Sequence, residues 1–166
     1  MSNQPQNTTH PLRFDLNKVE YRQATPRSIP LPLLLEADPN EQSINQYLSS
    51  SQCYCAVLDN DIIGAVVVKL SDSSVYEVLN VAVNPDHQAK GVGTQLLQYT
   101  LEQLAMQGIK RVELGTGTFG YQLTYYQRLG FRVDRIEKDH FVNNYPEPIW
   151  ENGIRHFDML RLYINL

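Results

Sequence analysis

The 166-residue chain is short of several things at once. It has only two cysteines and one tryptophan, so a small disulfide-stapled scaffold is excluded and a packed core must hold the fold. It has no surplus of positive charge. Its 14 Lys and Arg stand against 18 Asp and Glu, a formal charge of −4, which removes any general attraction to nucleic acid or anionic lipid. No nucleic-acid partner and no membrane partner are expected. Nor is there a long apolar run: the longest in the middle, residues 62–68, falls far short of the roughly 20 residues that span a bilayer. The opening Met-Ser-Asn-Gln-Pro-Gln-Asn-Thr-Thr-His has neither the basic start nor the apolar stretch of a secretory leader, which makes the cytoplasm the expected location. Residues 1–11 read as a flexible polar tail and residues 12–166 as a single domain, because a chain of this length has room for one core.

The chain does carry a clear rhythm of elements. Residues 53–58, 62–68 and 75–83 read as strands separated by Asp59-Asn60-Asp61 and Ser71-Asp72-Ser73-Ser74, both strong turn sequences, which predicts an antiparallel meander. Cys53 and Cys55, in the first of these, are read as pointing to opposite faces and remaining buried, reduced thiols. From 93 to 107 the apolar positions recur every three to four residues and Gly108 follows as a stop, so this is the strongest helix. A strand at 110–114, a helix at 121–129 stopped by Gly130, and a strand at 131–136 come next. Upstream, 19–23 reads as a first strand and 31–37 and 41–48 as short helices. Residues 143–153, with two prolines and Gly153, read as a loop before a last strand within 156–164.

The most informative stretch is Asn80-Val-Ala-Val-Asn-Pro-Asp-His-Gln-Ala-Lys-Gly-Val-Gly-Thr94, where a strand ends, a glycine turn follows and the best helix begins. Gly91 and Gly93 let backbone come close to a phosphate, the helix start offers unpaired N–H groups, and Lys90 adds a cation. Gln88-Ala-Lys-Gly-Val-Gly93 resembles the Q/R-x-x-G-x-G/A signature of the GNAT superfamily, the GCN5-related N-acetyltransferases, and Leu79-Asn-Val-Ala-Val83 resembles that family's fourth strand. Tyr126-Gln-Arg-Leu-Gly-Phe131 resembles its YxxxGF segment. The resemblance, strongest over residues 77–131, implies an α/β fold of the α+β type: a mixed, mostly antiparallel sheet flanked by helices and splayed between strands 4 and 5, with acetyl-CoA in the gap.

Carried onto this sequence, the resemblance makes Val81, Ala82 and Val83 the strand that pairs with the pantetheine arm, and Gln88, Ala89, Lys90, Gly91, Val92, Gly93 and Thr94 the pyrophosphate turn. It makes Tyr126 the general acid for the departing thiolate, and Glu77 a candidate base for the amine, acting directly or through water. Plain strand alternation places Glu77 on one face with Val81 and Val83. Tyr125, about 100° around its helix from Tyr126, is expected to face elsewhere. Many family members carry an Asn seven residues before the motif tyrosine; that position here is Phe119.

The implied activity is transfer of acetyl from acetyl-CoA to a primary amine, on a small molecule or a peptide, by direct transfer in a ternary complex. The alternative is a catalytically silent acyl-CoA sensor or scaffold of the same fold. A dinucleotide-binding protein is the remoter alternative, because Gly115-Thr-Gly-Thr-Phe-Gly120 fits G-x-G-x-x-G after a strand and before a helix. Too little chain follows for a doubly wound sheet, and these glycines read as a bend in the loop after the fifth strand. His87, His140 and His156 have no metal-ligand spacing, and no metal is expected. Glu147, Glu151 and Asp158, with Tyr145 and Trp150, are read as a solvated loop, an acceptor rim for a cationic amine, or a homodimer contact.

Overall fold

A seven-stranded sheet organises the structure, a computed structural model that describes residues 14–166. The expected tail at 1–11 lies outside the described residues. In chain order the elements are β1 (Glu20–Ala24), α1 (Leu31–Leu35), α2 (Glu41–Leu48), β2 (Gln52–Leu58), β3 (Asp61–Asp72), β4 (Val75–Val83), α3 (Val92–Met106), β5 (Arg111–Gly117), α4 (Tyr121–Arg128), β6 (Arg132–Glu137), α5 (His140–Asn144), β7 (Trp150–Glu151), β8 (Ile154–Arg155) and β9 (Met159–Asn165). The sheet order is β1-β2-β3-β4-β5-β9-β6, with β7 and β8 forming a separate small hairpin. Only β4 and β5 pair in parallel; the other neighbours are antiparallel.

The meander forms where the turn chemistry puts it. Asp59 and Asn60 take φ of 51° and 72°, the left-handed pair that a tight hairpin needs and that these two residue types tolerate best. One sheet face packs on α3, where Leu96, Leu97 and Leu104 are fully buried against Tyr54, Val66, Val68, Val112 and Leu162. The other packs on α1 and α2, where Leu34 and Ile44 meet Val67 and Ala82. Cys53 and Cys55 share this second face rather than opposite ones, since positions two apart on a strand always do. Both are free thiols, and burial pushes Cys53 up to about 11.

β4 departs from plain alternation at one residue. Val81 pairs with Val66 and Asn80 with Val67, but Val78 pairs with Val68, so Leu79 is an extra residue, a β-bulge. The bulge flips the strand's faces. Tyr76, Val78, Val81 and Val83 all meet the α3 core, whereas Asn80 and Ala82 turn to the α1 side. Glu77, expected beside Val81, therefore lies on the opposite face. Parallel pairing with β5 ends at Val78 opposite Leu114, immediately before the bulge bends β4 away. The splay between the fourth and fifth strands thus starts at a single inserted residue.

Two other expectations change. The segment 143–153 is a loop over most of its length, but α5 ends in it at Asn144 and β7 at Trp150–Glu151 opens a hairpin with β8; the last strand, Met159–Asn165, starts within the expected range and runs one residue past it. Gly115 and Gly117 belong to β5 itself rather than to a bending loop. The dinucleotide reading also falls, because antiparallel β9 stands between β5 and β6 and the doubly wound sheet it requires is not built.

Candidate active site

A cavity of about 360 Å³ occupies the splay. Its floor is the half of β4 that has parted from β5, Val81, Ala82 and Val83; one end is the turn into α3; its side is α4. The turn is built for close approach. Asn84 accepts from the Asp86 N–H, Gln88 Nε2 donates to the Val83 carbonyl at 2.9 Å, and Gly91 takes φ of +87° as the residue preceding α3. The first helical bond across the turn runs from the Gln95 N–H to the Gly91 carbonyl, which leaves the N–H groups of residues 92–94 for a ligand. With the helix dipole behind them they suit a pyrophosphate.

Of the expected cofactor contacts, Val81, Ala82, Val83, Gln88, Ala89, Gly91, Gly93 and Thr94 line the cavity. Lys90 and Val92 do not line it. The Lys90 ammonium donates to the Asp86 carbonyl at 2.6 Å and lies over the Phe14 ring, and the Val92 side chain is buried in the core. Tyr126 lines the cavity, and so does Tyr125, against the expectation that it faces elsewhere. The cavity wraps the start of α3, and Tyr125 reaches it by donating from its hydroxyl to the Gly93 carbonyl at 2.9 Å. Burial pushes both phenols well above the ordinary tyrosine range, so each keeps its proton at neutral pH.

Glu77 does not line the cavity. Its Oε1 accepts from Arg161 Nη1 at 2.6 Å, within a cluster where the same guanidinium also approaches Glu113 and Glu137. On the α1 side, Glu36 and Ala37 close the wall, held there because Asn80 Nδ2 donates to the Leu34 carbonyl at 3.0 Å and to the Tyr47 hydroxyl at 3.2 Å. Residues from both sheet faces, Glu36 on one and Tyr126 on the other, therefore border one space. Nothing in the local pattern of residues 31–37 announces Glu36; only the tertiary tie through Asn80 brings it in. Phe119 stacks on His156 instead of facing the cavity. Among the described residues no group of three or more His, Cys, Asp or Glu side chains is placed to hold a metal, and no helix is long and apolar enough to cross a membrane.

An open strand edge beside a glycine turn and a helix N-terminus is the framework of a transferase that draws its group from a coenzyme A thioester: backbone amides for the amide-rich arm, N–H groups for the pyrophosphate. The comparisons with known proteins agree. The family profile described as the acetyltransferase (GNAT) domain matches residues 49–133. An uncharacterized N-acetyltransferase of Bacillus subtilis (strain 168), YvbK, is 38% identical over 135 residues, 81% of this chain and 87% of its own. A GNAT family acetyltransferase from Elizabethkingia anophelis, solved with acetyl-CoA bound, is 40% identical with a TM-score of 0.84, covering 90% of this chain and 99% of that one. An IAA acetyltransferase from Bacillus cereus ATCC 14579 is 37% identical with a TM-score of 0.83 over 89% and 99%. The chain belongs to the GNAT family of N-acetyltransferases. Acetyl-CoA is its co-substrate.

Proposed function

We propose that the protein, acting in the cytoplasm, moves acetyl to a primary amine by direct transfer within a ternary complex. One observation carries the reading: the cavity opens along Val81, Ala82 and Val83 with α4 and the α3 turn on one side and the α1–α2 segment on the other. Thioester and amine can therefore meet from opposite faces without a covalent relay. The thioester supplies an activated acyl carbon, and the chain's own groups do the rest. Backbone amides of Val81 to Val83 pair with the pantetheine arm, with an N–H near Val81 polarising the carbonyl. Main-chain N–H groups across Gln88, Ala89, Lys90, Gly91, Val92, Gly93 and Thr94 hold the pyrophosphate.

Tyr126 holds the proton that the departing thiolate needs, in a site whose dryness keeps the phenol neutral until that charge develops. Glu77 takes the acceptor's proton. Four strand steps of about 3.3 Å each separate it from Val81, so it works through water rather than by contact, and the bulge puts it on the α1 side where the amine arrives. The side chain is 28% exposed, which lets that water in.

A panel of primary amines, including polyamines, aminoglycosides and lysine peptides, assayed for free-thiol release from acetyl-CoA, tests the reading. Turnover with at least one is expected. Tight coenzyme A binding without turnover on any would favour the silent sensor or scaffold, the reading to which Phe119 in the family's Asn position lends its weight.

A further inference from the structure

The glycine run at residues 115–120 has no ligand role in this chemistry, yet packing explains it. A Cβ on Gly117 would lie 2.6 Å from Nδ1 of His156, and one on Gly120 would lie 2.5 Å from Oε2 of Glu151. Those two side chains are themselves joined, His156 Nε2 standing 3.1 Å from Glu151 Oε2. His156 is only 6% exposed. Its ring lies flat on Phe119, with centroids 4.2 Å apart and planes within 5°, and Phe141 closes another side at 5.4 Å. The histidine's own backbone is fixed from elsewhere: its N–H donates to the Ile149 carbonyl, and the Phe141 N–H donates to the Phe157 carbonyl. The C-terminal hairpin and α5 thus present a braced imidazole–carboxylate pair to the backbone that joins β5 to α4.

That backbone needs bracing. α4 has eight residues, too few for a helix to persist on its own propensity. Gly120, which precedes it with φ of +98°, has no side chain with which to cap it. The Glu151 carboxylate against Gly120 sits at the positive end of the helix dipole. Loss of Glu151 would leave the buried His156 ring without its partner, and loss of His156 would free the carboxylate, itself 30% exposed, from its place against Gly120.

We propose that His156 and Glu151 are positioning residues: they clamp residues 117–120 and so set where Tyr121, Gln122 and Tyr126 stand on the cavity wall. The catalytic part rests on Tyr126 being the proton donor. Small errors of placement matter for such a group, a shift of about 1 Å being able to cost on the order of 10²-fold in rate.

The test uses the full chain and two readouts. Hydrogen exchange, which needs no acceptor, should show residues 117–126 exchanging faster in His156→Leu than in the wild type, with β2, β3 and β4 unchanged. Kinetics with the best amine of the panel should show kcat down about tenfold or more with KM for acetyl-CoA within about threefold. His156→Gln should recover most of the rate, because its amide still donates to Glu151. In a Tyr126→Phe background His156→Leu should cost nothing further. Should His156→Leu not fold, Gly117→Ala displaces the same ring by one methyl and is expected to move both readouts the same way. Unchanged exchange at 117–126 overturns the clamp, as does a glutamine variant as slow as the leucine one. Additive losses with Tyr126→Phe overturn the coupling to the donor. Wild-type kcat in Tyr126→Phe alone sinks the donor assignment, while the clamp then stands or falls on exchange.

Discussion

Replacing Gly91 with valine should remove coenzyme A binding and leave the protein folded. The residue sits at φ of +87°, and a Cβ there would meet Leu16 Cδ2 at 3.1 Å. A β-branched side chain in left-handed backbone costs about 1–2 kcal/mol or more, so the turn relaxes toward an ordinary conformation and the N–H groups of residues 92–94 swing off the pyrophosphate. Losing two charge-assisted hydrogen bonds, each worth about 1.5–3 kcal/mol, weakens binding by about 10²–10⁴-fold. Gly108 provides the control: its φ is +83° and nothing lies within 4 Å of its would-be Cβ. Gly108→Val therefore carries similar backbone strain far from the site. In scanning fluorimetry at about 100-fold over Kd, coenzyme A should stabilise the wild type by about 2.7 kcal/mol, which is about 5–11 °C for a chain of this size. Gly108→Val should melt lower yet keep that shift; Gly91→Val should lose it. An undiminished shift in Gly91→Val would refute the pyrophosphate assignment, and a comparable shift with NAD would refute the site as read.

Tyr126→Phe should lower kcat by about 10²-fold or more with little change in acetyl-CoA affinity, and raising the pH should not restore it; near-wild-type kcat across the pH range would remove the tyrosine from the mechanism. Glu77→Gln should be slow at neutral pH and partly rescued at higher pH, where solvent supplies neutral amine; a pH-independent defect would count against it as the base. Tyr125→Phe removes the bond to the Gly93 carbonyl, worth about 1 kcal/mol, and should weaken coenzyme A by several-fold in calorimetry with kcat retained. Stability should fall as pH rises above the ordinary thiol and phenol ranges, because burial raises Cys53 to about 11 and Tyr47 to about 12 and the unfolded chain releases those protons first. A melting temperature flat from pH 8 to about 11 would contradict that burial.

The meander, the long helix and the glycine turn before it were legible because each is specified by neighbours in sequence: Asp59-Asn60 for the hairpin, the apolar spacing of α3 for its buried face, Gly91 for the left-handed start. The bulge was not, since Leu79 carries no mark of its own and becomes an extra residue only when Val68 and Val66 choose their partners. That is why Glu77 and Val81 were assigned one face. Glu36 and Tyr125 were missed for a related reason, as each reaches the cavity through a long-range tie, to Asn80 by way of Leu34 and to Gly93. The strand Trp150–Glu151 was missed inside the expected loop because the two prolines before it mask how little chain a two-residue strand needs. His156 offered no signal either: its partner is five residues away in sequence, but the backbone it presses on lies in another element.

The inserted Leu79 also bears on how such an enzyme can diversify. In the proposed function Val81 to Val83 hold coenzyme A through main-chain groups that every sequence possesses, and an added residue, with no particular side chain, decides which half of β4 faces that ligand. The residues on its other face, Glu77 and Asn80, are relieved of that duty. A side-chain replacement on the acceptor side would then leave the proposed main-chain grip on the acyl donor untouched, a separation of two duties along one nine-residue strand.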